Sequence, residues 1–317
     1  MSEILKLKKI DDSYFDGKNS VIVIGFFDGV HLGHKRIIEA CINKAGRIKG
    51  TSIVLTFNQP PMNVIKNRMY KRLIIPYSEK IKIIESLGVD YIVTADFSPV
   101  FLKLKPEQFC RDILMDKFHV KEILVGKGFR FGFNTEGDVP FLKKFFKDLE
   151  VGVSTVPLLR IKSEVISSTN IRKYYSLGKI KKIKDLLRRD PQVEGVVVKG
   201  TGRGSKLGFP TANIDNCRIF ITPKDGVYLG MVEIDGTEGV LLPAVINIGD
   251  NPTFKDSKRW VETYIIGFEE NIYGKKIKIS FLERLRDEIR FKNSDDLIDQ
   301  MKLDLKYAYK YFNIKCR

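Results

Sequence analysis

The stretch Gly25–His34, GFFDGVHLGH, holds two of the three histidines in the chain, three residues apart and set among glycines. Gly25, Gly29 and Gly33 let a backbone turn tightly and approach a ligand closely. His31 and His34 can donate hydrogen bonds to phosphate oxygens without the fixed charge of a lysine. If the stretch leaves a strand and opens a helix, the free N–H groups and partial positive charge of the helix N-terminus favour the same anion. A glycine-rich turn with a capping histidine would look similar. Two histidines at this spacing, after a buried-strand pattern, tip the reading towards a phosphate site. Gly25, Phe27, Asp28, Gly29 and Gly33 are its candidate phosphate-contacting residues, with Asp28 read as shaping the turn rather than approaching a metal.

Three further groups of residues carry chemistry. In Ile166–Arg172, ISSTNIR, the hydroxyls of Ser167, Ser168 and Thr169 can cap a helix, and Arg172 can fork onto phosphate oxygens. From Lys199, KGTGRGSKLGFPTANI sets Gly200, Gly202, Gly204 and Gly208 around Arg203 and Lys206. Such a loop can close over phosphates, although it lacks the spacing of a P-loop. In the PTAN that follows, an extended backbone puts Thr211 and Asn213 on one face, and a hydroxyl with an amide oxygen suits Mg²⁺. Glu262 sits in the strand-like VETYIIGF. By themselves the loop residues leave a glycine-rich hairpin equally open, and Glu262 alone reads as a solvated edge carboxylate.

The elements that must position these residues fall into two rhythms. Val21–Ile24, Thr51–Phe57, Tyr91–Phe97, Glu122–Gly126 and Val151–Leu158 read as strands. Between them lie helical patterns over Lys35–Ala45, Glu79–Leu87 (capped by Ser78, ended by Gly88) and from Pro106 to about Phe118. Alternation of this kind predicts a parallel sheet flanked by helices. The basic helix Ile180–Arg189 ends at Asp190-Pro191, and short apolar runs broken by glycine and proline follow. They predict an antiparallel barrel or sandwich, closed by a C-terminal helix with Ser294 as N-cap and Leu297, Met301, Leu305 and Ala308 on one face. Two domains are drawn, residues 1–188 and 189–317.

The composition bounds the function. With 43% hydrophobic residues, the 317-residue chain can bury full cores. The N-terminus has no apolar signal-like run, and no stretch approaches the roughly 20 apolar residues that span a membrane. Cys41, Cys110, Cys217 and Cys316 form no metal-type pair. A cytoplasmic protein is expected. The net charge of +16 is spread among acids and is read as a lysine-rich surface suited to anionic substrates, with nucleic acid an unlikely partner.

GFFDGVHLGH resembles the signature of the HxGH nucleotidyltransferases, and ISSTNIR is similar to the segment that accompanies it in the flavin-adenylating members. GTGRGSKLGFPTAN is similar to the riboflavin kinase signature, and PKDGVY, VINIGDNPTF, VETYIIGF and YGKKIKISFLERLRDE extend that resemblance over the second half. Together the halves resemble the prokaryotic bifunctional riboflavin kinase/FMN adenylyltransferase (FAD synthetase) family. The resemblance implies a Rossmann-like domain followed by a six-stranded antiparallel β-barrel with a C-terminal helix. It implies phosphorylation of riboflavin to FMN at the second site and adenylylation of FMN to FAD at the first, each with ATP and Mg²⁺. His31, His34 and Arg172 would handle ATP phosphates and pyrophosphate, and Glu262 would be the catalytic base. Thr211 and Asn213 would hold the metal, and Arg286 and Glu288 of LRDE would lie near the flavin.

The chain departs from the family pattern at TFNQPPMNV, which lacks the usual proline-flanked histidine, at Gly128 before F-R-F-G, at Thr135 in place of a basic residue, and at Tyr264, where histidine is common. A riboflavin kinase with a weakened adenylyltransferase half is the alternative these departures motivate. Readings of another class are an RNA-related HxGH protein, against which no KMSKS-like loop appears, and a non-catalytic flavin-binding regulator, against which Glu262 and PTAN stand.

Overall fold

The computed structural model describes residues 2–60, 63–64, 71–161, 163–200, 204, 208–214, 219–237, 239–250 and 259–314. Contacts divide the chain into two compact units, Met1–Ser168 and Thr169–Arg317.

The first unit is built on strands β1 (Glu3–Lys6), β2 (Ser20–Ile24), β3 (Thr51–Phe57), β4 (Tyr91–Ala95), β5 (Val120–Gly126) and β8 (Gly152–Val156). The pairs β6 (Arg130–Phe131) with β7 (Gly137–Asp138) and β9 (Arg160–Ile161) with β10 (Glu164–Val165) form small antiparallel hairpins. The main sheet runs β1-β4-β3-β2-β5-β8, every neighbouring pair parallel. From β2 the chain winds one way through β3 and β4, then returns to the other side of β2 through β5. That reversal makes the carboxyl end of β2 the switch point at which open α/β sheets bind ligands.

Local sequence explains most of this. Val21–Ile24 is buried on both faces of the sheet, as its unbroken apolar run requires. Helix α1 (Leu32–Arg47) buries Ile37, Ile38, Cys41 and Ala45, the residues its periodicity points inward. Helix α2 (Tyr77–Glu85) differs from expectation: Pro76, whose ring fixes φ at −59°, occupies the N-cap, so Ser78 lies in the first turn rather than capping it. After Pro106–Gln108 the expected helix winds on as a π-helical run, Phe109–Met115, which turns Phe109, Cys110, Ile113 and Leu114 into the core. Helix α3 (Val139–Phe145) is capped by Asp138, whose carboxylate accepts from Phe141 N at 2.9 Å. Strand β1 has no counterpart in the sequence reading, because this edge strand carries three exposed residues and joins β4 through its backbone.

In the second unit, α4 (Ser168–Ser176) and α5 (Ile180–Leu187) precede six strands: β11 (Gln192–Val198), β12 (Ala212–Ile214), β13 (Gly226–Ile234), β14 (Leu242–Asp250), β15 (Arg259–Ile265) and β16 (Lys276–Arg286). They close as β11-β12-β15-β14-β13-β16, antiparallel throughout, with β16 returning to β11. Val261, Thr263, Ile246, Ile248, Ile279 and Phe281 fill the interior. The contact division at Ser168/Thr169 groups α4 and α5 with the barrel, where α5 packs on β16 and Tyr175 O accepts from Lys224 N at 2.8 Å. The sequence draws its line at 188/189 instead, where strand character begins.

Helix α6 (Ser294–Tyr311) covers part of the barrel wall, Ala308 and Leu305 meeting Leu229 and Ile266. Its N-cap is Asn293, whose side chain accepts from Asp296 N at 2.8 Å, and not Ser294, which is the first helical residue. Asn293→Ala is therefore expected to lower barrel stability by about 1 kcal/mol, and Ser294→Ala by much less. Urea unfolding followed by the fluorescence of the single tryptophan, Trp260 on β15, measures the difference.

Candidate active sites

The chain must pass from β2 to α1 within Gly25–His31, and the backbone does so through the left-handed region. Phe27 (φ 53°), Gly29 (φ 82°) and Val30 (φ 34°) all have positive φ. Glycine accepts this freely, whereas a β-branched valine does so only at a cost of order 1–3 kcal/mol and only where its surroundings dictate it. The surroundings do so here. Val30 is fully buried, and its N–H donates to Phe27 O at 3.0 Å. Asp28 Oδ1 accepts from Ile74 N at 3.0 Å, and its carbonyl accepts from Ser168 Oγ at 3.2 Å. These bonds tie Asp28 into the turn.

His31 is the N-cap of α1, its Nδ1 accepting from His34 N at 3.2 Å. An accepting Nδ1 assigns the ring proton to Nε2, which leaves that nitrogen as a donor. The His31 and His34 rings stack with centroids 3.5 Å apart and planes 19° from parallel, and Phe27 meets His34 edge-on at 5.3 Å. Gly33 leaves the stack room, since a Cβ there would lie 3.2 Å from the His31 ring and press it by a few tenths of an ångström. Two aligned imidazoles at a helix N-terminus give a compact anion-seeking surface. Gly25, Phe27, Asp28, Gly29, Gly33, His31, His34 and Ser168 are therefore gathered in one place, and Ser167 adjoins them in sequence. Thr169 and Arg172 lie on α4, in the second unit.

Next to Ile24, the last residue of β2, opens a cavity of about 470 Å³. Its walls are mainly apolar and include the rings of Phe57, Phe97, Phe101, Phe109, Phe129 and Phe131. Phe57 and Phe97 stack at 4.5 Å, and Phe129 and Phe131 at 5.5 Å. Sequence reading missed this pocket because its rings come from four separate segments; F-R-F-G was the local signal. Gly128 and Thr135, two of the departures noted above, are both exposed. Pro61 and Met62 of TFNQPPMNV lie outside the described residues.

In the barrel, β-sheet register aligns three polar side chains. Asn213 of β12 pairs with Glu262 of β15, which pairs with Asn247 of β14. Val261 and Thr263 point into the barrel, so Glu262 between them faces out and is half-buried. A Cβ at Gly200 would overlap the Asn213 amide, and one at Gly204 would lie 3.4 Å from Thr211 Oγ1. The glycines thus let the loop backbone lie against the PTAN residues. Gly208, at φ 85°, provides the turn before Phe209. Gly202 and Lys206 lie outside the described residues. A cleft of about 180 Å³ adjoins Thr211, walled by Val197, Pro210, Thr263, Phe268 and Tyr273. Asn247 is a member of this row that sequence reading did not single out, for only register reveals it.

The LRDE segment is anchored. Arg286 donates from Nε and Nη2 to Asp304 of α6 at 2.7 to 3.1 Å, and from Nη1 to Asp287 O at 3.1 Å, so the structure uses it to join β16 to α6. Glu288 lies against Gly249 of β14. Asp287 accepts from Arg284 at 2.7 Å and from Lys224 at 2.9 Å, and these cations pull its carboxyl down to about 2. Tyr264 sits among the residues between barrel and α6, where burial raises its hydroxyl pKa.

Known proteins bear on both sites. A family model described as FAD synthetase matches residues 15–170, and one described as riboflavin kinase matches residues 187–312. The bifunctional riboflavin kinase/FMN adenylyltransferase of Buchnera aphidicola subsp. Schizaphis graminum is 33% identical over 314 residues, 98% of each chain. That of Listeria monocytogenes is 34% identical over 288 residues, 90% of each chain. The crystal structure of a macrolide-efflux protein from Streptococcus pneumoniae is 29% identical, covers 96% of this chain and 98% of its own, and superposes with a TM-score of 0.81. Among the described residues, no helix is long and apolar enough to cross a membrane. With relatives at this identity spanning nearly its whole length and both halves matched in order, the chain belongs to the family of bifunctional riboflavin kinase/FMN adenylyltransferases.

Proposed function

We propose that the chain converts riboflavin to FAD in two ATP-dependent steps, phosphorylation at the barrel and adenylylation at the first unit. The observation that carries the second step is the aromatic cavity beside the Gly25–His34 turn. FMN is a flat tricyclic ring joined to a phosphate, and a wall of phenylalanines next to a phosphate-seeking helix start suits both ends.

In adenylyl transfer, a phosphate oxygen of FMN attacks the α-phosphorus of ATP and the bond to pyrophosphate breaks. No protein nucleophile is needed, so catalysis rests on alignment and charge stabilisation. His31 Nε2 and His34 are assigned to the phosphate oxygens, with Gly25, Phe27, Gly29, Gly33, Ser167 and Ser168 shaping the site. Thr169 and the pyrophosphate-binding Arg172 are assigned on their sequence motif. In the kinase step, Glu262 accepts the proton of the ribityl 5′-hydroxyl as its oxygen attacks the γ-phosphorus and ADP leaves. Thr211 Oγ1 and the Asn213 side-chain oxygen are hard ligands that suit Mg²⁺ completed by phosphate oxygens and water. When bound, that ion neutralises phosphate charge. Gly200, Gly204 and Gly208, with Gly202 and Lys206 on sequence grounds, form the loop over the ATP phosphates. Glu288, and Arg286 through its hold on α6, are assigned to the flavin side. The cytoplasm is the compartment proposed for both reactions, with riboflavin, FMN and ATP as the small-molecule partners.

Incubation of the full chain with riboflavin, ATP and Mg²⁺ is expected to yield FMN and then FAD on chromatography. FMN alone would favour a kinase with an impaired first site, the outcome that Gly128 motivates. Absence of both from folded protein would refute the assignment. His34→Ala and His31→Asn, which retains a capping side chain, are expected to lower FAD formation at least ~100-fold while FMN formation persists. Glu262→Gln should do the reverse when FMN is supplied. Phe129→Ala is expected to raise the KM for FMN about tenfold, as loss of one aromatic stacking wall implies.

A further inference from the structure

Beneath the Gly25–His34 turn, α2 carries a charge on its buried face. That face consists of Lys80, Ile81 and Ile84, and Lys80 is only 3% exposed. An ammonium group has three protons, and three oxygens receive them: Phe26 O at 3.1 Å, Thr56 Oγ1 at 3.2 Å and Phe57 O at 2.5 Å. The Thr56 hydroxyl lies 3.2 Å from Phe26 O and donates to the same carbonyl. The nitrogen also sits 4.5 Å from the centre of the Phe26 ring and 5.3 Å from that of Tyr77. One acceptor lies on Phe26, two residues past β2 in the turn, and two lie at the carboxyl end of β3.

Burying an amine is costly, and the three oxygens that take its protons offset that cost. What the charge does is fasten the carbonyl immediately before Phe27, the first residue of the turn with positive φ. Asp28 Oδ1 and Asp28 O are fastened from the other side by Ile74 N and Ser168 Oγ. A backbone in a costly conformation persists only when it is over-determined in this way. Burial lowers the Lys80 pKa to about 8, against the opposing pull of Asp28. Asp28 and Tyr77 are the titratable groups facing the amine among the described residues. Loss of one proton would leave two donors for three acceptors and loosen the tie.

We propose that Lys80 is a positioning residue for adenylyl transfer, its ammonium holding the backbone of the turn so that His31 and His34 meet the phosphates in line. The proposal rests on the reading of that turn as the phosphate site.

The chain has three histidines, so its imidazole NMR spectrum is simple. In the full-length protein, the His31 and His34 signals are expected to show a step with a midpoint near pH 8, as Lys80 deprotonates, while His119 shows none. The step should vanish in Lys80→Met. In the same variant, kcat for FAD formation from FMN is expected to fall about 100-fold, the scale of a reacting group displaced by about an ångström, with KM values for FMN and ATP within about threefold. Riboflavin phosphorylation should be unchanged. A Lys80→Met enzyme with near-normal kcat, or one that keeps the step, would overturn the proposal. So would a wild-type spectrum in which the Lys80 Cε resonance titrates and neither histidine signal moves with it, a result that needs no variant to fold. If His31→Asn instead formed FAD normally, the phosphate reading of the turn would fail. If that variant were inactive and Lys80→Met were not, only the role of Lys80 would fail.

Discussion

The short passage from a strand buried on both faces to the first helix of the sheet is the constraint on which the first site depends. β2 cannot shift, because Val21–Ile24 is walled in by β3, β5 and the flanking layers. The helix cannot shift either, with Ile37, Ile38, Cys41 and Ala45 committed to the core. The backbone between them is forced through three positive φ angles, one at a valine. The same constraint sets the geometry of the histidine pair. It leaves His31 as the cap, turns its Nε2 into the remaining donor, and stacks His34 against it.

The barrel reaches a similar end by a different route. Antiparallel pairing fixes which side chains stand opposite one another, so a carboxylate on one strand acquires two amide neighbours without any special loop. The closed order of strands leaves none of the three strands at a free edge. The glycines of the preceding loop let its backbone lie against the PTAN residues. Side chains held in register suit phosphoryl transfer, whose catalysis is chiefly alignment and electrostatics.

Much of this was legible in the residues, and the failures have physical causes. Periodicity found the buried faces of α1 and the strands β2 and β3, because burial on a regular element leaves a regular pattern. It missed β1, an edge strand held by backbone bonds. It put the caps of α2 and α6 at Ser78 and Ser294, where proline geometry and the neighbouring Asn293 decide instead. Motifs located the histidine pair, the PTAN residues and Glu262. They could not show Asn247, the phenylalanine cavity or Lys80, since each is assembled from segments distant in the chain. Lys80 looks like any surface lysine until the face of α2 that it occupies is known.

One chain is assigned two different cuts in ATP, at the γ-phosphorus in the barrel and at the α-phosphorus in the first unit. Parallel reactions of riboflavin with γ-labelled and α-labelled ATP test this most directly. The γ label is expected to enter FMN and to remain in the FAD made from it, whereas the α label should appear in FAD and never in FMN. An α label that stays out of FAD, or a γ label released as inorganic phosphate with no FMN formed, would contradict the account.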